Sequence, residues 1–302
     1  MVVIIRNFNA KKDLQSYVDL YNSANNYHRF FQETTPKSVK ELILNDPLYN
    51  NDWHFVAYDK RRFVGAVRGH QSREYKGMSP PTGQIFFAIH PGYLETAGVQ
   101  LFDLVCDKMK SAGIQKVHTS PIVRNDDIWG FLDGYGFKPI YEGHTLRYRI
   151  PPHPLSLQPP AGLREKVFES SDKPRLISLM FENIEKKIQE YLYKELVWGA
   201  EQNGFFLLEN DKREIVAFVK NVICSSGFPF SALISGTSIV YEAKSGVSPY
   251  LIKRSIEWAR SRRTRSVLAS AGTASPSLGM YLNIGFKKET RNPNIRLYER
   301  NL

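Results

Sequence analysis

Trp129–Ile140 reads WGFLDGYGFKPI, and Leu278–Glu289 reads LGMYLNIGFKKE. Both are apolar runs broken by a glycine that lead into Gly-Phe-Lys, at Gly136-Phe137 and Gly285-Phe286. Each predicts a short helix running into the Gly-Phe pair. The two copies lie about half a chain apart, and their surroundings repeat as well. HFVAYDKRRFVGAV (His54–Val67) and FFLLENDKREIVAFV (Phe205–Val219) are each an apolar run, a charged turn and a second apolar run, which predicts a β-hairpin. GQIFFAIHPGY (Gly83–Tyr93) and SALISGTSIVYE (Ser231–Glu242) follow as strand candidates. Next comes a turn of small residues and an amphipathic helix. Leu101, Leu104, Val105 and Met109 share one helix face, as do Leu251, Ile252, Ile256 and Ala259. A short break and a further strand lead back to the opening motif.

The chain therefore reads as a tandem duplication. RIPPHPLSLQPPAGLRE (Arg149–Glu165) contains five prolines, which fix φ and remove backbone donors, so an extended linker is expected there. The expected domains are residues 1–150 and 163–302, with the linker at 151–162. Each half opens on a strand (VVIIRNF and LREKVFE) and continues into helical material. In the second half Asp172 is placed to cap a helix, with Pro174 in its first turn. A length of 302 residues suits two domains of ordinary size.

The composition is 42% hydrophobic and 24% charged, that of a globular chain. No apolar run is long enough to span a bilayer, and the start, MVVIIRNFNAKKD, reads as a first strand. Cys106 and Cys224 fit no metal-binding or disulfide spacing, so a reducing, cytoplasmic setting is expected. The net charge of +11 suits nucleic acid or a phosphate-rich cofactor equally. The densest basic run, Lys253–Arg265, reads first as a solvated helix face and the turn after it.

This order of elements, ending twice in a short helix and Gly-Phe, resembles the GNAT superfamily of N-acetyltransferases, once per half. The tandem arrangement is similar to that of mycothiol synthase and related two-domain acyltransferases. The resemblance implies an α/β (α+β) fold of two GNAT-like domains, each a mixed, mostly antiparallel sheet flanked by helices. It implies acetyl-CoA, or another acyl-CoA, as donor. The cofactor arm enters between two splayed parallel strands, and the pyrophosphate sits at the N-terminus of the helix that follows. Catalysis is direct attack of an amine on the thioester, often with an acid for the leaving thiolate.

Carried onto this sequence, the phosphate turn of the second half involves Val240, Lys244, Ser245, Gly246, Val247 and Ser248. It lacks the family's leading Gln/Arg, and Ser248 stands where Gly or Ala is usual. In the first half Pro91 and Tyr93 match the strand end. Two registers compete for the glycine positions: Ala97 with Val99, or Gly98 with Gln100. The family's tyrosine, four residues before the Gly of Gly-Phe, is Tyr281 in the second half and Leu132 in the first. The asparagine seven residues earlier is Asn125 in the first half and Ala274 in the second. Glu242 is the best-placed general base, with His90 its first-half counterpart. Glu95 and 118–121 are candidates to line a first-half site. Tyr191, Tyr193 and Trp198, with Tyr21–Gln32 in the first half, fall where the family's acceptor pocket lies.

The favoured function is transfer of an acetyl group to a primary amine or a protein N-terminus, with the second half catalytic and the first degenerate; the reverse assignment stays open, because Pro91 and Asn125 favour the first half. The competing reading is a non-catalytic tandem GNAT-like protein that binds a ligand or, less favourably, nucleic acid. No membrane partner is expected, and monomer and homodimer are both open.

Overall fold

The alternation in HFVAYDKRRFV produces the hairpin it predicts. His54–Asp59 and Arg62–Gln71 pair antiparallel, with Asp59 opposite Arg62. Lys60 turns the chain at φ 54°, the left-handed conformation a tight hairpin turn uses. The structure, a computed structural model, describes residues 3–25, 33–72, 81–120, 126–181, 184–198, 204–224, 231–239 and 246–302.

The elements of the first half are β1 (Val3–Asn7), α1 (Ala10–Asn25), α2 (Pro36–Val39), β2 (His54–Asp59), β3 (Arg62–Gln71), β4 (Thr82–Ile89), α3 (Val99–Ser111), β5 (Lys116–Thr119), α4 (Asp126–Gly134) and β6 (Lys138–Arg149). Those of the second are β7 (Leu163–Val167), α5 (Lys173–Phe181), α6 (Lys186–Val197), β8 (Phe205–Asn210), β9 (Ile215–Ile223), β10 (Ser231–Ile239), α7 (Val247–Ser261), β11 (Ser266–Gly272), α8 (Pro276–Ile284), β12 (Lys287–Lys288) and β13 (Ile295–Asn301).

Two units divide the chain: Met1–Gly143 with Asn292–Leu302, and His144–Arg291. The first unit's sheet runs β1-β2-β3-β4-β5-β13, then the opening residues of β6. Only β4 and β5 are parallel; the other pairs are antiparallel. Leu101, Phe102, Val105 and Met109 of α3 form one core with Phe55, Val67 and Ile85 of the strands. Tyr17 and Val18 of α1 form another with Phe8, Val56 and Ala66. Period two along the strands sends alternate residues to the two layers.

The second unit repeats this plan as β7-β8-β9-β10-β11, followed by the closing residues of β6 and then β12. β10 and β11 are its parallel pair. Leu251, Ile252, Ile256 and Trp258 of α7 pack with Phe206, Val219 and Val267. Leu176 of α5 packs with Phe205, Leu207 and Phe218.

The division differs from a cut at residue 150. The chain leaves the first unit within β6 and returns to it after Arg291, so the final strand belongs with the first half. Tyr298 of β13 explains the return: it is fully buried in the first unit's core. The proline-rich stretch lies inside the second unit. Leu155 and Leu157 pack on its core, and the Leu155 N–H donates to Glu257 Oε1 at 2.7 Å.

The duplication reaches into buried polar groups. In the first unit Asp13, fully buried, accepts from the Asn9 N–H at 2.7 Å and from both terminal nitrogens of Arg6 at 2.7 and 2.6 Å. In the second Asp172, also fully buried, accepts from the Glu169 N–H at 2.9 Å and from Lys166 Nζ at 2.8 Å. Phe8 and Phe168 close the two first strands alike, donating to the His54 and Phe205 carbonyls at 2.8 and 2.9 Å. The aspartate thus ties the first strand to the helical segment after it in each unit.

Candidate active site

The opening motif is a helix cap. Gly136 and Gly285 take left-handed φ values of 89° and 108°, a conformation that glycine adopts freely. The next N–H turns back into the helix: Phe137 donates to the Leu132 carbonyl and Phe286 to the Tyr281 carbonyl, both at 3.0 Å. Leu132 and Tyr281 are therefore equivalent in space as well as in spacing.

The parallel strands splay in both units. In the second, β10 and β11 pair over Ser231–Leu233 and Ser266–Leu268, then separate, while β10 continues to Ile239 and β11 to Gly272. β10 also carries a register slip between Ile234 and Gly236 that takes Ser235 out of the ladder with β9. In the first unit β4 and β5 pair over Thr82–Gln84 and Lys116–His118. There the β3–β4 ladder stays regular through Ile89. Just past the last pair, Thr119 Oγ1 donates to the Ile85 carbonyl at 2.8 Å, bridging the opening. Ala269 stands at the corresponding place in the second unit and has no hydroxyl to do so.

The two helix starts differ more sharply. Gly246 immediately precedes α7 with φ 95°, and no side chain caps the helix. No acidic residue lies in its first turn. A Cβ built on Gly246 would meet nothing within 4 Å. Val247 and Ser248 open the helix, and Pro249, next in line, has no N–H to leave unpaired. This is an exposed helix N-terminus whose backbone donors and dipole favour an anion. In the first unit the chain turns helical much sooner, with a 3-10 turn over Pro91–Tyr93 and a wide turn over Leu94–Gly98. Ala97 and Gly98 are buried, and the Val99 N–H already donates to the Leu94 carbonyl. A Cβ on Gly98 would come within 3.4 Å of the Phe131 ring. These three residues lie within helix, not at its free end.

Tyr281 is buried, its ring edge-on to Phe286 at a centroid distance of 5.0 Å. Among the described residues its hydroxyl has no hydrogen-bond partner. Burial raises its pKa to about 12, so it holds its proton throughout the neutral range. Val240, Glu242, Lys244, Ser245 and Asn125 lie outside the described residues.

The other first-half candidates are engaged. His90 Nε2 lies 2.7 Å from Arg62 Nη2, and His118 Nε2 lies 3.0 Å from Glu299 Oε2. Glu95 is exposed. In the second half Tyr191 is buried on α6, and Tyr193 lies under Lys173 at 5.0 Å. The Trp198 carbonyl accepts from Lys220 Nζ at 2.6 Å. In the basic run, Arg254 pairs with Glu165 and Arg260 with Glu257. A cleft of about 1380 Å³ opens beside β7–β9, and three of the five cations that line it, Arg164, Lys166 and Arg175, are paired with Glu209 and Asp172. Among the described residues no cluster of acidic, histidine or cysteine side chains could hold a metal.

Sequence reasoning missed Lys220 and its counterpart Arg68. Lys220 sits opposite Phe205 and Gly236, as Arg68 sits opposite His54 and Phe86. Burial pulls the Lys220 amine down to about 8, against the opposing pull of Glu195. The available signal was a lone cation inside an otherwise apolar strand, in FVGAVRG and IVAFVKN.

Two splayed sheets, each with a helix leaving the splayed strand and a Gly-Phe-capped helix after the next, make up a GNAT fold in tandem. No protein-family model matches the chain, and no curated protein sequence matches it. Solved structures do. A tandem GNAT protein from the clavulanic acid biosynthesis pathway superimposes with a TM-score of 0.74 at 13% identity, covering 99% of this chain and 98% of its own. A GCN5-related N-acetyltransferase from Sphaerobacter thermophilus gives 0.66 at 13% identity over 99% and 95%. N-myristoyltransferase of Saccharomyces cerevisiae, solved with myristoyl-CoA and inhibitors, gives 0.64 at 12% identity over 99% and 80%. At these identities the likeness is one of fold. No helix among the described residues is long and apolar enough to cross a membrane.

Proposed function

We propose that the chain is an acyl-CoA-dependent N-acyltransferase in which the second unit carries the reaction. The observation that supports this most directly is the Gly246 start of α7: it has no side-chain cap and no acidic residue in its first turn, Gly246 itself is exposed, and it follows the splayed strand β10. The Gly246, Val247 and Ser248 N–H groups would hold the pyrophosphate of acyl-CoA, with Val240, Lys244 and Ser245 completing the turn. When bound, acyl-CoA supplies an activated thioester carbonyl. The acceptor nitrogen forms the C–N bond as the C–S bond breaks. The Tyr281 hydroxyl gives its proton to the departing sulfur, and Glu242 takes the proton lost from nitrogen. In this reading the first unit, with Ala97 and Gly98 buried, Val99 already inside the helix and Leu132 in place of tyrosine, has lost the reaction. Asn125 is then a remnant of its cofactor contacts.

Acetyl is the proposed acyl group and a primary amine, on a small molecule or a protein N-terminus, the proposed acceptor. Cys106 and Cys224 are free and buried, in keeping with a reducing, cytoplasmic setting. Calorimetric titration of the full chain with acetyl-CoA tests the proposal. One site per chain, lost in Gly246→Asp, is expected. Binding that survives in that variant would move the cofactor to the first unit, and no binding of acetyl-CoA would remove it as donor.

A further inference from the structure

Arg68 stands in the middle of the first unit's sheet. Cross-strand register sets His54 opposite Arg68, and Arg68 opposite Phe86. The three side chains therefore form one row across β2, β3 and β4 on a single face. Alternation along β3 puts His70 on that face too, and Ser72 follows in the same phase. At the inner end α1 closes over the row: Phe8 stacks on His54 at 4.2 Å, and Tyr17 meets it edge-on at 5.4 Å. At the outer end the Arg68 guanidinium lies 4.4 Å over the Phe86 ring, which is 40% exposed. The row thus runs from the core to the surface.

Among the described residues, three polar atoms of this face have no hydrogen-bond partner: Arg68 Nε, His54 Nε2 and Ser72 Oγ. Their residues are 8%, 0% and 2% exposed. Buried polar groups are nearly always paired, and a buried cation ordinarily has an anion beside it. Among the described residues the neighbours do not supply one. Burial holds Tyr17 and Tyr49 as neutral phenols, each with a pKa near 12 despite the pull of Arg68. Burial, reinforced by Arg68, pushes His54 down to about 3, so it is uncharged. Asp46 is engaged by His70 at 2.9 Å. In the second unit the equivalent cation, Lys220, is answered by the Trp198 carbonyl.

We propose that this row binds a small monoanionic carboxylate with an aromatic or apolar body, anchored by Arg68. The guanidinium fork matches a carboxylate, and one positive charge balances one negative. A phosphate dianion would leave net negative charge among phenols and a neutral imidazole. Phe86 and the tyrosines provide flat apolar walls for the body, while His54 Nε2 and Ser72 Oγ are free to bond its polar atoms.

The test is calorimetric titration of the full chain, without acyl-CoA, using phenylacetate, its uncharged analogue phenylacetamide, and phenyl phosphate. A ligand of this size should bind with a Kd of about 1 mM or tighter. Phenylacetamide should bind at least about tenfold more weakly, since it lacks the charge-assisted bond. Arg68→Met should abolish phenylacetate binding while leaving the melting temperature in plain buffer unchanged or higher, because it removes a buried charge that lacks an anion. Equal affinity for the amide, tighter binding of phenyl phosphate, or no phenylacetate binding would each overturn the assignment. So would an Arg68→Met chain that melts lower or does not fold, which would make Arg68 a structural cation. None of these outcomes depends on acyl transfer by the second unit.

Discussion

Phe286 holds Tyr281 twice. Its backbone N–H donates to the Tyr281 carbonyl at 3.0 Å, and the two rings meet edge-to-face at 5.0 Å. Phe137 makes the same backbone bond to Leu132. One helix cap thus presents a phenol in the second unit and a hydrocarbon in the first. That difference joins the Gly246 start of α7 in supporting the proposal that the second unit carries the reaction.

Tyr281→Phe keeps the ring, the cap and the packing and removes one oxygen. Because the hydroxyl has no partner among the described residues, the melting temperature should be unchanged or slightly higher. If the hydroxyl protonates the leaving sulfur, turnover should fall about 100-fold, the usual scale for losing a general acid. Acetyl-CoA affinity should change less than about threefold, since the lost interaction belongs to the transition state. With a pKa near 12, Tyr281 should impose no alkaline limb on kcat below pH 10. Steady-state kinetics with calorimetry would check this, and an unchanged kcat across the pH range removes Tyr281 from the role.

Gly246 allows two contributions to be separated. Gly246→Ala adds a methyl group that meets no atom but sits at φ 95°, so the cost is backbone strain of about 1 kcal/mol. Gly246→Asp adds a negative charge at the positive end of α7. Acetyl-CoA affinity should fall at least about tenfold for the aspartate, and markedly less for the alanine, if phosphate sits there. Equal losses in the two variants would reduce Gly246 to a conformational requirement.

Much of this molecule was legible in the sequence because its information is local. The Gly-Phe caps, the hairpins and the helix faces each depend on spacing within a dozen residues, although Leu104, expected on the buried face of α3, is exposed and Phe102 is buried instead. The return of β13 was not legible, since nothing near Tyr298 specifies that its partners are Thr119 and Pro139. Arg68 and Lys220 were passed over because a lone cation in an apolar strand is read as a solvent-facing position. Only cross-strand register shows that both face inward under helices. The helix start at Ala97–Val99 looked equivalent to Gly246 by composition. The structure separates them because the chain after Pro91 turns helical early and uses the backbone donors internally.

Asp13 and Asp172 provide a matched test of the duplication. Burial pushes the Asp13 carboxyl up, but Arg6, the Asn9 N–H and the Tyr58 hydroxyl outweigh it and hold its pKa below 3.8. Lys166, the Glu169 N–H and Arg175 do the same for Asp172. A folded pKa below the unfolded one gives stability that is present above pH 3.8 and is lost as pH falls through the folded value. Asp13→Asn and Asp172→Asn should each cost about 2–3 kcal/mol at neutral pH. The gap between each variant and the parent should close below pH 3.8. Urea unfolding across acid pH measures this, and a gap independent of pH would show that shape, not charge, is what the site requires.

Lys220 has the opposite sign. Its folded pKa of about 8 lies below the ordinary lysine value of 10.5, so the folded chain carries a penalty that is complete below pH 8. Between pH 8 and 10.5 the unfolded chain holds the proton and the folded chain does not, so this group's contribution to stability rises with pH. Lys220→Met removes the penalty and gives up the bond to the Trp198 carbonyl, which is worth about 1 kcal/mol. The variant should therefore be about 1–2 kcal/mol more stable than the parent at pH 7. That advantage should vanish above pH 10.5, once the unfolded amine has lost its proton as well. If the variant is less stable at pH 7, the Trp198 bond outweighs the buried charge, and Lys220 is a structural clasp between β9 and the end of α6.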